Sequence, residues 1–238
     1  MLKTLQNAFK IKEVREKLLY TFFMLVVTRI GSQLPIPGVN TTFFQELFTR
    51  QSNDAFGFFN TITGGSFTNM SVFALSITPY ITSSIIMQLL TIAIPKLEEM
   101  QQEGEDGRKK IAEYTRYLTV ALALMQSVAM AIGFGGKGLL VEFTALNVIV
   151  AIVTMTAGSA MLMWIGERIT ENGVGNGISI VLLFNIISTM PSDMITLYER
   201  FLQGKIVAVA VVTAVIIVAV IVAMVVFVII LQDAERRI

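Results

Sequence analysis

Apolar positions along the chain gather into six long runs, at 18–34, 74–95, 118–134, 144–165, 175–190 and 206–231, with most charges between them. A helix needs about 20 mostly apolar residues to cross a bilayer core. The runs do not show the alternating polarity of a barrel strand. The pattern predicts an all-α integral membrane protein with six spans. The runs differ sharply in wetness. The second carries Ser76, Thr78, Thr82, Ser83, Ser84, Gln88 and Thr91, with Pro79 near its start, whereas the sixth holds a single hydroxyl, Thr213. The fifth is short and interrupted by Ser179, Asn185, Ser188 and Thr189. Hydroxyls in a spanning helix bond to neighbouring helices or face water, and short polar spans are shielded or line a cavity. Seven polar side chains in one span exceed what packing needs. Spans two and five are therefore expected to be wet central helices of a conduit, with span six a dry element at its periphery.

The connections sharpen this picture. Residues 1–17 mix Leu2, Leu5, Phe9, Ile11 and Val14 with Lys3, Lys10, Lys12, Arg15 and Lys17. They fit an amphipathic helix on the inner surface, or a charged lead-in to the first span. Pro35 and Pro37 stop that span. Residues 38–73 are too polar to span, yet carry Phe43, Phe44, Phe48, Phe56, Phe58, Phe59, Phe67 and Phe73 around "TGGSF". So long a connection usually has a job, and it is expected to pack against or into the membrane domain. Residues 96–116 read as a hydrophilic connector with a turn at "EGEDG", and "GERITENGVGNG" as a tight turn between spans four and five. The natural divisions are 1–17, then 18–193 with spans one to five, then 194–238 with an outer loop, span six and the start of an inner loop. The ending "LQDAERRI", directly after an apolar run, suggests a fragment.

Charge sets the orientation. Thirteen of the eighteen Lys and Arg residues fall before the first span, between spans two and three, after the fourth and after the sixth. By the positive-inside rule both ends of the chain are cytoplasmic. Composition mainly excludes: the chain has no His and no Cys, which removes Ser-His catalysis, histidine metal motifs, thiolates and disulfides. Asp54, Asp106, Asp193 and Asp233 lie in loops or at edges, not as an intramembrane pair. No enzyme activity, cofactor, metal or nucleic-acid site is expected. Arg29 is the one charge well inside a run. It is read as snorkelling to the surface or making a structural hydrogen bond, weighed against a functional charge. Gly- and Pro-interrupted spans also suit half of a secondary solute transporter, but such carriers place ionisable groups at the midplane. A scaffold that binds apolar helices without a through-pore is a third reading.

Two aliphatic pairs stand one turn apart in the wet helices: Ile77 with Ile81, and Ile178 with Leu182. Each pair shares a helix face. If both faces meet at one axis, they make a greasy constriction that blocks ions by dewetting. Any apolar helix holds such pairs, so spacing alone does not single them out.

"LSITPYITSSIIMQLL", "EGEDGRKKIAEYTRYLT", "MWIGERITENGVGNGISI", "RIGSQLPIPGV" and "DAERRI" resemble the SecY family, the large channel subunits of bacterial protein translocation. The resemblance covers essentially the whole chain. It implies a SecY-like helical bundle, here one inverted half (spans 1–5) plus span 6, and a channel that passes unfolded secretory polypeptides and releases apolar segments sideways into lipid. It assigns Ile77, Ile81, Ile178 and Leu182 to the pore ring, Leu182 standing where isoleucine is common. A re-entrant plug falls at about 58–70, including Phe59, Ile62, Gly64, Gly65 and Phe67. Thr82, Ile85, Ile86 and Gln126 fall on one side of the lateral gate. Implied partners are SecE- and SecG-like small membrane subunits, the ATPase SecA or a ribosome, signal peptides and nascent chains, and the lipid of a bacterial inner membrane. With only spans one to six matched, a lone chain is expected to hold part of the ring.

Overall fold

The computed structural model describes residues 11–50, 54–201 and 207–233. The first ten residues of the expected amphipathic segment lie outside them. The chain runs through α1 (Lys12–Gln33), α2 (Thr41–Arg50), α3 (Asp54–Ile62), α4 (Thr78–Ala93), α5 (Pro95–Gln102), α6 (Glu105–Phe134), α7 (Ala145–Asn172), α8 (Gly177–Phe201) and α9 (Val207–Asp233). Among the described residues β-pairing is confined to two isolated bridges, Pro35 with Ser71 and Val39 with Leu140. The fold is all-α.

Among the described residues, four helical segments are long and apolar enough to cross a membrane: Glu105–Leu139, Ala145–Asn172, Gly177–Glu199 and Val212–Leu231. A fifth is added if Thr78–Ala93 and Pro95–Gln102, bent by 101° at their junction, form one span. The sequence pattern predicts six, and the difference lies in α1. Its 22 residues suffice in length, but Lys12, Glu13, Arg15, Glu16 and Lys17 crowd its start and Arg29 its last turns. Each 18-residue stretch of α1 therefore holds more than two charges. The short fifth run also behaves differently from its apolar length. Helix α8 continues for 25 residues, through Pro191, so residues 194–201 are helical where the sequence suggests an outer loop.

Residues 1–188 form one compact unit and residues 189–238 a second. In the first, α1 and α4 turn hydroxyl residues inward and large apolar side chains outward. Helix α1 buries Thr21, Thr28 and Ser32 while Phe22 and Phe23 are 66% and 61% exposed. Helix α4 buries Pro79, Ser83, Met87 and Thr91, a stripe at four-residue spacing, and exposes Leu89 and Ile92. Lipid is as apolar as Leu, so aliphatic side chains gain little from burial, and helices associate through small residues and hydroxyl bonds. Those bonds are present. Ser83 Oγ donates to the Thr115 carbonyl at 2.7 Å and accepts from Thr119 Oγ1 at 3.0 Å, joining α4 to α6. Ser127 and Thr156 hydroxyls lie 2.9 Å apart between α6 and α7. Gly158 on α7 permits a close backbone approach, because a Cβ there would lie 2.0 Å from the Val72 carbonyl oxygen.

The second unit contains the end of α8 and helix α9. Large apolar side chains of α9 from Val212 to Leu231 are exposed within this chain.

Candidate functional site

The aromatic-rich connection packs into the first unit, as its composition predicts. After α3 the chain runs through turns from Thr63 to Ile77, and Phe67, Met70, Phe73, Leu75 and Ile77 are buried. Two backbone bonds tie it to the end of α1, Ile36 N–H to the Met70 carbonyl at 3.0 Å and Val72 N–H to the Leu34 carbonyl at 2.9 Å. Asn60 Oδ1 accepts both the Thr68 N–H and the Thr68 hydroxyl, and Phe59 meets Phe67 edge-on at 4.8 Å between ring centres. Gly64 and Gly65 adopt φ of +66° and +83°, the left-handed region that glycine enters without steric cost. Gly64 is also pressed against α8, where a Cβ would lie 3.1 Å from the Asn185 backbone.

Ser76 then turns the chain into α4 with φ +53°. Its hydroxyl accepts from Asn185 Nδ2 at 3.4 Å, and its carbonyl accepts from Ser159 Oγ at 3.2 Å. This places Ile77 at the head of α4, among Phe73, Leu162, Ile165, Ile169 and Val181, at 0% exposure. Ile81 and Ile178, both half-buried, pack against the same cluster. Three of the four residues read as a constriction thus share one aliphatic knot. Helix α8 contributes Val181 to its buried part, and Leu182 stands beside it, half-buried. The role of α7 was missed from sequence, although Leu162, Ile165 and Ile169 repeat at i, i+3 and i+7.

Above Ile81 and Ile178 opens a cavity of about 450 Å³, at the end of the bundle where α6 begins and α7 ends. Its wall mixes those two with Tyr80, Ser84, Ile85, Thr170, Asn176 and Ser179. Across it Arg116 Nε donates to Glu167 Oε1 at 2.8 Å, linking α6 to α7. The polar residues of the second apolar run therefore divide. Ser76, Ser83 and Thr91 are buried in contacts between elements or within the helix, and Ser84 faces the cavity. Packing accounts for more of the wetness than the sequence suggested.

A second groove, also about 450 Å³, lies at the head of α4 beside the last turns of α6 and is almost wholly apolar. It is lined by Phe59, Phe67, Leu75, Thr78, Gln126, Met130 and neighbours. Gln126 of α6 thus stands opposite the head of α4 and two of the residues read as plug. Of the remaining positions read as gate, Ile85 is exposed, Ile86 is half-buried, and Thr82 bonds back to the Thr78 carbonyl of its own helix at 3.0 Å.

The SecY family model matches residues 71–238. A protein translocase subunit SecY from Halalkalibacterium halodurans is 43% identical over 85% of this chain and 47% of its own length. Another from Aquifex aeolicus is 39% identical over 100% of this chain and 56% of its own. The chain spans about half the length of these relatives. A solved protein-conducting channel superposes with a TM-score of 0.51 at 21% identity, over 84% of this chain and 43% of that one. Sec61 from a canine ribosome–channel complex gives the same TM-score and identity. At that identity the likeness concerns the fold.

Proposed function

This chain belongs to the SecY family, and we propose that it forms the first half of a protein-conducting channel. The channel passes unfolded secretory polypeptides and lets apolar segments leave sideways into the bilayer. The observation that carries this reading is that Ile81 and Ile178, from two different helices, pack on one aliphatic cluster and line one cavity together with polar and charged residues. A hydrated vestibule that ends on branched aliphatic side chains holds water back, because such side chains offer an ion no bonds in exchange for its hydration shell. A passing chain, in contrast, needs only that the aliphatic groups move aside.

In this reading Ile77, Ile81, Ile178 and Leu182 supply this half's share of the ring. Residues 58–70, with Phe59, Ile62, Gly64, Gly65 and Phe67, form the plug, whose glycine pair is the bend about which it moves. Thr82, Ile85, Ile86 and Gln126 belong to one wall of the lateral exit, the apolar groove beside Gln126 suiting a greasy segment on its way to lipid. The remaining ring and gate residues come from outside this chain. SecE- and SecG-like subunits clamp the bundle, SecA or a translating ribosome drives transport, and both ends of the chain face the cytoplasm of a bacterial inner membrane.

Cysteine crosslinking in the full-length complex tests the reading. With one cysteine at Ile81 or Leu182 and another in a stalled secretory chain, a disulfide is expected at both positions. An active complex that gives no crosslink at either rejects these ring assignments. Crosslinks to membrane segments but never to hydrophilic translocating chains would leave a helix-binding scaffold instead.

A further inference from the structure

Arg29 bonds inward rather than snorkelling. From α1 its Nη1 donates to the carbonyl of Gly64 at 2.9 Å and to Ser188 Oγ at 3.0 Å. The Ser188 hydroxyl donates to the Asn185 carbonyl at 2.7 Å, which turns an oxygen lone pair toward the guanidinium. Gly64 is wedged against the backbone of that same Asn185. One cation therefore joins three elements: α1, the turn at Gly64 and α8. None of the described residues forms an ion pair with Arg29, so the charge is spent on neutral acceptors. A hydrogen bond from a charged donor is about twice as strong as a neutral one, and in a low-dielectric setting its loss is costly.

We propose that Arg29 is a positioning residue that holds the 58–70 segment in its resting place, by bridging the Gly64 carbonyl to Ser188 of α8. This rests on the reading of that segment as a displaceable plug. The latch sits at the glycine pair, where the backbone bends most freely. Releasing the Gly64 carbonyl therefore unties the bend from α1 and α8, while the bonds at Ile36 and Val72 still hold its far end. Because Ser188 is on α8, the helix that also carries Ile178, a shift of α8 would loosen the plug and the ring together. Both bonds leave the same nitrogen, Nη1, whose two hydrogens the planar guanidinium holds in fixed directions. Lysine keeps the charge, but its ammonium sits on a flexible stem and its donors are not pre-set toward the two acceptors.

The test uses full-length translocase reconstituted in proteoliposomes, with a cysteine at Ile62 as reporter and one at the buried Ser127 as control. Arg29→Gln is expected to raise thiol labelling at Ile62→Cys about tenfold, the factor matching loss of one charge-assisted bond. Ser188→Ala gives a smaller rise and Arg29→Lys an intermediate one, with Ser127→Cys unchanged. No rise in Arg29→Gln overturns the proposal, and so does an equal rise at Ser127→Cys, since Arg29 would then support the fold in general. Resting ion conductance, compared with a deletion of residues 58–70, reports separately on the plug. If the deletion conducts no more than wild type while Ile62→Cys labelling responds as expected, the plug reading fails and the latch stands.

Discussion

Helices α4 and α9 are both drawn from apolar runs, yet they are used in opposite ways. Helix α4 has a buried stripe at Pro79, Ser83, Met87 and Thr91, and two of those four are hydroxyl residues. The apolar stretch of α9 has a mean hydropathy of 3.7 and none of it is buried within this chain. In a lipid setting, a helix gains little by hiding aliphatic surface from more hydrocarbon. What commits a face to a neighbour is a group that lipid cannot satisfy, or a side chain small enough to let backbones touch. Helix α4 has such a face; α9 is alike on all sides, and its surroundings must orient it.

That contrast can be broken by substitution, with unfolding measured on the purified full-length protein in mixed micelles. The largest effect is expected from Gly158→Val, whose Cβ collides with the backbone at Val72. It should cost about 3 kcal/mol or more and appear as lost folded yield. Next, Ile77→Ala should lower stability by about 2 kcal/mol, the bottom of the range for a filled core site. Ile81→Ala, half-buried in the cavity wall, should cost under about half of that. Equal losses would mean that Ile81 is core and not cavity wall. Ser83→Ala removes the bond to the Thr115 carbonyl and should cost about 1 kcal/mol, whereas its neighbour Ser84→Ala, facing the cavity, should fall within about 0.5 kcal/mol of wild type. Reversal of that order would refute the division between packing and cavity hydroxyls. The smallest change is expected in α9, where Ala219→Val should leave the unfolding midpoint unaltered within about 0.5 kcal/mol.

Charge at the cavity rim gives a further check. Arg116 and Glu167 are 45% and 21% exposed at the side chain, so their pairing is screened by water. Glu167→Gln should destabilise by no more than about 1 kcal/mol, and the difference should shrink as salt is raised.

Much of the architecture was readable from the chain. The runs at 118–134, 144–165 and 206–231 became α6, α7 and α9, because length and apolarity leave a bilayer segment few alternatives to a helix. The aromatic residues between 38 and 73 announced a packed segment, and Phe67 and Phe73 are buried. Less legible was the first run, where Lys17 and Arg29 mattered more than the apolar residues between them. The end of α8 was missed because Pro191 reads as a stop, although the helix passes through it. Seven polar residues in one span suggested a wet face, and only contacts could divide Ser83 from Ser84. Val181 went unnoticed beside Ile178 and Leu182, since branched apolar side chains in an apolar helix carry no periodic signal.

Hydropathy and charge were enough to indicate a helical membrane protein, because transfer into lipid depends on side chains taken one at a time. The family likeness and the residues worth watching came instead from the longer motifs that resemble SecY. The partners of those residues were settled in three dimensions alone. That Arg29 reaches Gly64 and Ser188, 35 and 159 positions along the chain, depends on how α1, the turn at Gly64 and α8 cross. A hydrogen bond needs its two atoms within about 3 Å, a condition that composition and periodicity do not encode.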